Sequence, residues 1–134
     1  MSAELLQRIQ GHLDAEGLLA GYDTLYFRWT DEQVNGNTPF ILFRAAGSAG
    51  DDNYVVQYPD VRIILVANPS GAVAGDARMR EIIRFFRADD GYRITGASGE
   101  VLSVAPIGPV IGPLYLENDR PIWELNVRCL VDDY

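Results

Sequence analysis

The sequence predicts a single α+β domain, a mostly antiparallel or mixed sheet of about four to five strands with two helices packed on it. Three observations predict it. The 134 residues match the commonest size of one domain. The elements run helix, strand, strand, strand, helix, a long loop and a final strand, so helices and strands do not alternate regularly. Successive strands are joined by short turns, which favours antiparallel pairing. A chain of this length buries roughly two-thirds of its unfolded surface, enough for one core without metals or disulfides. Its 48% hydrophobic and 22% charged residues lie in the globular range.

The first helix is expected over residues 2–20. Ser2 suits the N-cap, and Leu5, Leu6, Ile9 and Leu13 recur at helical spacing with Arg8, Gln10 and Asp14 between them. Gly11 weakens the helix, and Gly17 ends its regular part. Residues 25–29 form a short aromatic strand, and 30–38, with Asn35-Gly36-Asn37, a turn. Pro39 opens a second strand over 40–44. Phe40 and Leu42 alternate with Ile41 and Phe43, so both faces are apolar and the strand is central.

Residues 45–53 read as a loop of small residues carrying Asp51 and Asp52. The chain is extended again over 54–67, with Pro59 marking an edge or a bulge. After Asn68-Pro69-Ser70-Gly71, a second helix is predicted over 74–88. Met79, Ile82, Ile83 and Phe86 line its inner face, with Arg78, Glu81, Arg84 and Arg87 outside it. Residues 92–104 are weakly patterned. Residues 105–113 are rich in proline and glycine and carry no charge, so they read as a loop. In the last strand Trp123, Leu125, Val127, Cys129 and Val131 face one way, and Glu124, Asn126 and Arg128 the other. That strand is expected to join the sheet non-locally.

Charge and composition exclude several functions. Eleven basic residues, all arginine, stand against nineteen carboxylates, for a net charge of −8. With no basic stripe, a nucleic-acid backbone or an anionic membrane is repelled. No apolar run approaches the ~20 residues that cross a bilayer, and residues 1–10 lack the apolar segment of a signal peptide. Arginine without lysine suits bidentate pairing with carboxylates at subunit contacts.

Nucleophilic catalysis needs a nucleophile, a base and a group that orients the base. The single histidine, His12, lies in the first helix, and the single cysteine, Cys129, on the core face of a strand. Neither belongs to an active-site motif. The carboxylate pairs Asp31/Glu32, Asp51/Asp52, Asp89/Asp90 and Asp132/Asp133 lie in turns or at the terminus, where they read as solvated charges. Neither a calcium loop nor zinc spacing is present, and no glycine-rich segment has the lysine and strand-to-helix context of a phosphate loop. No cofactor or metal is expected. Two features remain: Ile107, Val110 and Ile111 in an uncharged loop, and apolar Ile64, Val66, Ile122 and Leu130 beyond one clean core face. Each is covered by the chain itself or meets a partner.

Residues Pro59-Asp60-Val61-Arg62-Ile63-Ile64-Leu65-Val66, the helix after them, and Gly112-Pro113-Leu114-Tyr115-Leu116-Glu117-Asn118-Asp119-Arg120 with Trp123-Glu124-Leu125-Asn126-Val127-Arg128 resemble tail terminator proteins of long-tailed phages. The layout is also similar to the lambda minor tail protein U group. The resemblance implies a structural virion protein forming a hexameric ring at the head-proximal end of the tail tube. There it stops polymerisation and offers the surface that joins the head, so its partners are the tail tube protein and a head-completion or neck protein. It implies no catalysis. It also implies that DNA passes through the ring without being bound, and no membrane partner is expected.

A closed ring needs a head-to-tail contact between unlike surfaces. The candidates are Arg62, Ile107, Val110, Ile111, Leu114, Tyr115 and Arg128, with Asp51 and Asp52 expected to face the lumen. The alternatives are another neck or tail-tube component, an enzyme using the acidic pairs, and a small acidic binding domain.

Overall fold

The computed structural model describes residues 3–49, 56–88, 93–95 and 101–132. In them the chain forms α1 (Ala3–Ala15), β1 (Asp23–Tyr26), α2 (Asp31–Asn35), β2 (Phe40–Ala49) and β3 (Val56–Val66). It continues with α3 (Ala72–Arg87), β4 (Arg93–Thr95), β5 (Val101–Pro106), β6 (Ile111–Tyr115) and β7 (Pro121–Asp132). The α+β class is as predicted. The sheet has seven strands rather than four to five, and there is a third, short helix.

The strands lie in the order β1-β2-β3-β7-β5-β4, with β6 also paired to β7. Only β1 and β2 run parallel; the other pairs are antiparallel. The last strand thus inserts between β3 and β5, which is the non-local pairing expected of it. Pro106 pairs with Val127 on β5, and Ile111 pairs with Glu124 on β6. Both strands therefore follow the same edge of β7, one after the other, and residues 107–110 interrupt what is otherwise one long partner strand.

The apolar alternation gives the sheet two unequal cores. On one face Ile41, Phe43, Ile63, Leu65, Trp123, Leu125, Val127 and Cys129 pack against Leu6, Ile9 and Leu13 of α1 and Met79, Ile82 and Phe86 of α3. α3 crosses β3, β7 and β5, while α1 touches both β2 and β4. On the other face Phe40, Leu42, Ile64 and Val66 form a smaller cluster with Leu25, Trp29, Leu116 and Ile122. Burial of each such side chain contributes roughly 1.5–3 kcal/mol. The apolar surface of Ile64 and Val66 is thus covered by the chain's own 25–29 segment and Leu116; Leu130's side chain lies outside the described residues.

Trp123 holds the layers together. Its indole is fully buried, and its Nε1–H donates to the Asp76 carboxylate at 3.1 Å. Two glycines make room for it. A Cβ on Gly75 of α3 would stand 2.5 Å from the ring, and one on Gly112 would stand 2.7 Å from the Ile122 carbonyl and 3.1 Å from Trp123 Cδ1. Gly112 also has φ +127, which side-chain-bearing residues rarely adopt.

Local chemistry explains where the elements depart from expectation. α1 stops at Ala15, and the following segment is held by Arg78. That guanidinium donates to the carbonyls of Leu18 (2.8 Å) and Ala20 (2.9 Å) and lies over the Tyr22 ring. The expected turn at 30–38 contains α2, because Thr30 and Gln33 form a reciprocal capping box that satisfies two otherwise orphaned amides. β2 extends past residue 44 through the predicted loop to Ala49, with a register shift between Ala45 and Gly47. Pro59 pairs with Ser48 beyond that shift, so it sits by an irregularity, as its missing N–H requires. The weakly patterned 92–104 stretch contributes β4 and β5.

Candidate functional site

Among the described residues, six large apolar side chains are exposed, and four of them, Ile107, Ile111, Leu114 and Tyr115, lie along the β5–β6 edge. They are 39%, 44%, 59% and 61% exposed. Apolar side chains scattered singly over a surface need no explanation; a contiguous set on one sheet edge does. Val110 turns the other way and is buried in the main core, so it anchors the segment rather than presenting itself to a partner. The Ile107 amide donates to the Asn126 carbonyl at 2.8 Å, fixing the segment against β7 between the two strands. β4 flanks β5 alone, and no described strand covers β6. Pro106, Pro109 and Pro113 remove donors along this edge and disfavour addition of a further strand. The edge therefore presents exposed apolar side chains rather than a run of free backbone donors.

Next to it, the outer face of β2, β3 and β7 changes from apolar to charged. Arg44 lies opposite Arg62, which lies opposite Asn126. Arg62 Nε is 2.6 Å from the Glu124 carboxylate and 3.2 Å from Asn126 Oδ1. Further along, Arg128 grips Asp60 with two hydrogen bonds, at 2.9 and 3.2 Å, which raises the arginine pKa. Arg62 and Arg128 thus already have partners within the chain. Arg44, half-buried, has no ion-pair partner among the described residues.

The sequence model of the family described as phage tail termination protein matches residues 2–133. The chain belongs to that family. No curated protein matches it. A phage tail termination protein is a structural component of the tail, so this family is not an enzyme class, and its members associate with other tail and head proteins.

In this tail termination protein the residues capable of chemistry are apart. His12 is half-buried in the last turn of α1. Cys129 is fully buried in the main core, and burial, with the nearby Asp60 charge, pushes its thiol pKa up to about 12. Such a thiol is a packing group, not a nucleophile. A pocket of about 380 Å³ beneath α2 is lined by Asp23, Leu25, Glu32, Gln33, Gly36, Thr38 and Phe40; it offers two carboxylates but no histidine or cysteine. Among the described residues no group of three or more potential metal ligands occurs. No described helix is long and apolar enough to cross a membrane. Asp51 and Asp52 lie outside the described residues.

Two features of this tail termination protein were not singled out from its sequence. The Arg120 guanidinium is buried, 1% exposed, and donates to five carbonyls: Ala67 (3.0 Å), Gln33 (2.7 Å), Val34 (3.2 Å), Gly36 (2.8 Å) and Thr38 (2.7 Å). It also lies 5.4 Å from the Phe40 ring centroid. Burial lowers its pKa, yet the carbonyls replace its hydration. The Asn118 side chain adds a bond to the Val34 carbonyl, so the β6–β7 turn clamps α2. A signal existed: Asn118-Asp119 is turn chemistry, and an arginine just after it begins the strand.

The second feature is Phe27, 50% exposed at the end of the edge strand β1 with φ +71. The Arg28 amide donates to the Tyr26 carbonyl at 2.9 Å, closing a three-residue turn around it. A left-handed backbone costs about 1–2 kcal/mol for a residue with a Cβ. Nothing in Tyr26-Phe27-Arg28-Trp29 announces such a turn.

Proposed function

We propose that the chain forms a closed, head-to-tail ring of six copies on the head-proximal end of the tail tube, stops tube polymerisation there and presents the surface that the head-completion protein joins. The observation that carries this is the exposed apolar edge of Ile107, Ile111, Leu114 and Tyr115, within a chain of the tail termination family. A closed ring requires a heterologous contact, and this edge supplies one side of it. Arg62 and Arg128, held by Glu124 and Asp60, form a polar rim in which the charges are already neutralised. Six copies at −8 each carry −48 formal charges. With Asp51 and Asp52 lining the lumen, DNA passes without being gripped.

The test mixes the purified protein with purified tail tubes under negative stain. A terminator caps one end and halts elongation; a tube component lengthens the tube, which would refute the proposal. Leu114→Asp combined with Tyr115→Asp removes capping while the monomer keeps its melting temperature, because both side chains are more than half exposed. A ring structure with Asp51 and Asp52 on the outer wall refutes the lumen assignment alone.

A further inference from the structure

Two apolar exposures on this chain stand at opposite edges of one sheet. Phe27 projects at the end of β1, the outermost strand on one side. Ile107, Ile111, Leu114 and Tyr115 line the other side. From β1 across β2, β3 and β7 to β6 there are four strand spacings, about 19 Å in all, so one copy cannot bring the two together.

We infer that Phe27 of one copy is the knob that seats on the Ile107–Ile111–Leu114 edge of the next copy. This rests on the ring reading and names the other half of its contact. Two observations carry it. The Phe27 backbone is held in the left-handed region by the Tyr26–Arg28 turn while half of the ring faces solvent. A conformation that costs energy and buries little in the monomer is the kind retained for a contact elsewhere. Next, knob and edge share a level along the strands. Leu25 pairs with Leu42, Leu42 with Ile64, Ile64 with Glu124, and Glu124 with Ile111. Phe27 is two residues beyond Leu25, about 7 Å along the strand, which is within reach of an aromatic side chain. A neighbour placed by rotation without rise about an axis along the strands meets the knob at that height, and absence of rise is what closes a ring instead of a filament.

The experiment uses the full chain on tail tubes, with two variants beside the wild type. In Phe27→Gly the knob is gone and the left-handed turn is relieved. Its melting temperature is expected to stay at or near that of the wild type, while the concentration needed to cap tubes rises about tenfold or more, as for loss of a central aromatic contact. In Phe27→Cys combined with Ile111→Cys, oxidation on the tube is expected to give a ladder of covalent multimers ending in the closed ring; native Cys129 is buried and does not contribute. The inference is overturned if Phe27→Gly caps as well as wild type, if its melting temperature falls by more than a few degrees, or if the double-cysteine protein forms rings without cross-linking. Wild-type protein that neither rings nor caps overturns the underlying proposal as well, an outcome visible before any variant is made.

Discussion

Replacing Arg120 with methionine keeps much of the side-chain volume and removes every donor. In the native chain the guanidinium serves five carbonyls, and they are not equal. Ala67 is 2% exposed, so its carbonyl loses its Arg120 bond where water cannot easily replace it, at a cost of about 1–3 kcal/mol. The carbonyls of Gln33, Val34, Gly36 and Thr38 lie on a half-exposed segment and regain water. What they lose is the net advantage of charged hydrogen bonds and the order imposed on α2, together about 1–2 kcal/mol after non-additivity. The contact with the Phe40 face adds about 0.5–1 kcal/mol. The sum, about 2.5–6 kcal/mol, is a large share of the 5–15 kcal/mol typical of a domain. In urea the midpoint is expected to fall by about 2 M with little change in slope. Hydrogen exchange at residues 31–38 should accelerate more than at β3 or β7. Arg120→Lys cannot reproduce the planar fork and is expected to fall between the two. A loss below 1 kcal/mol for Arg120→Met, or uniform acceleration of exchange across the chain, would refute the clamp.

Three further outcomes follow from the same packing. Gly75→Ala puts a Cβ 2.5 Å from the Trp123 ring; overpacking of about 1–3 kcal/mol or more outweighs the gain of up to ~1 kcal/mol in helix propensity. Its melting temperature should drop by several degrees, and an unchanged or higher value would show that the indole can move. Cys129 should resist alkylation at pH 8 until the chain is unfolded. Because its folded pKa is raised from 9.0 to about 12, the folded state keeps the proton longer than the unfolded state. That contribution to stability is complete below pH 9 and is lost as pH rises towards 12, so Cys129→Ala should flatten the alkaline limb of stability against pH. Thr30→Ala removes the capping box of α2 and is expected to cost about 1 kcal/mol, read as faster exchange of the Gln33 amide; unchanged exchange there would contradict it.

Period and composition carried the fold a long way. The 3.6-residue spacing of Leu5, Leu6, Ile9 and Leu13, and of Met79, Ile82, Ile83 and Phe86, placed two helices with their buried faces correct. Alternation over Trp123–Cys129 placed the last strand, and the two-faced run at Phe40–Phe43 placed an interior one. Residues 92–104 resisted because β4 is three residues long and β5 only six, too short for a clear period to show. α2 was hidden because five residues cannot display an amphipathic face; it is held by its capping box and by Arg120, a residue more than eighty positions away.

For the proposed assembly surface, sequence isolated the uncharged 105–113 stretch and the apolar residues in it, because their lack of charge and their proline and glycine are visible without coordinates. It could not tell which of these face solvent: Val110 is internal and Ile107 and Ile111 are not. Nor could it tell that Arg62 and Arg128 are matched by Glu124 and Asp60 across neighbouring strands, or that Phe27 stands out from the opposite edge. The division has one physical cause. Composition and short-range period determine which segments are buried and in what conformation, since those depend on a residue and its neighbours within a turn or two. Exposure, ion pairing and the separation of two edges depend on which strands lie side by side, and only the insertion of β7 between β3 and β5 decided that.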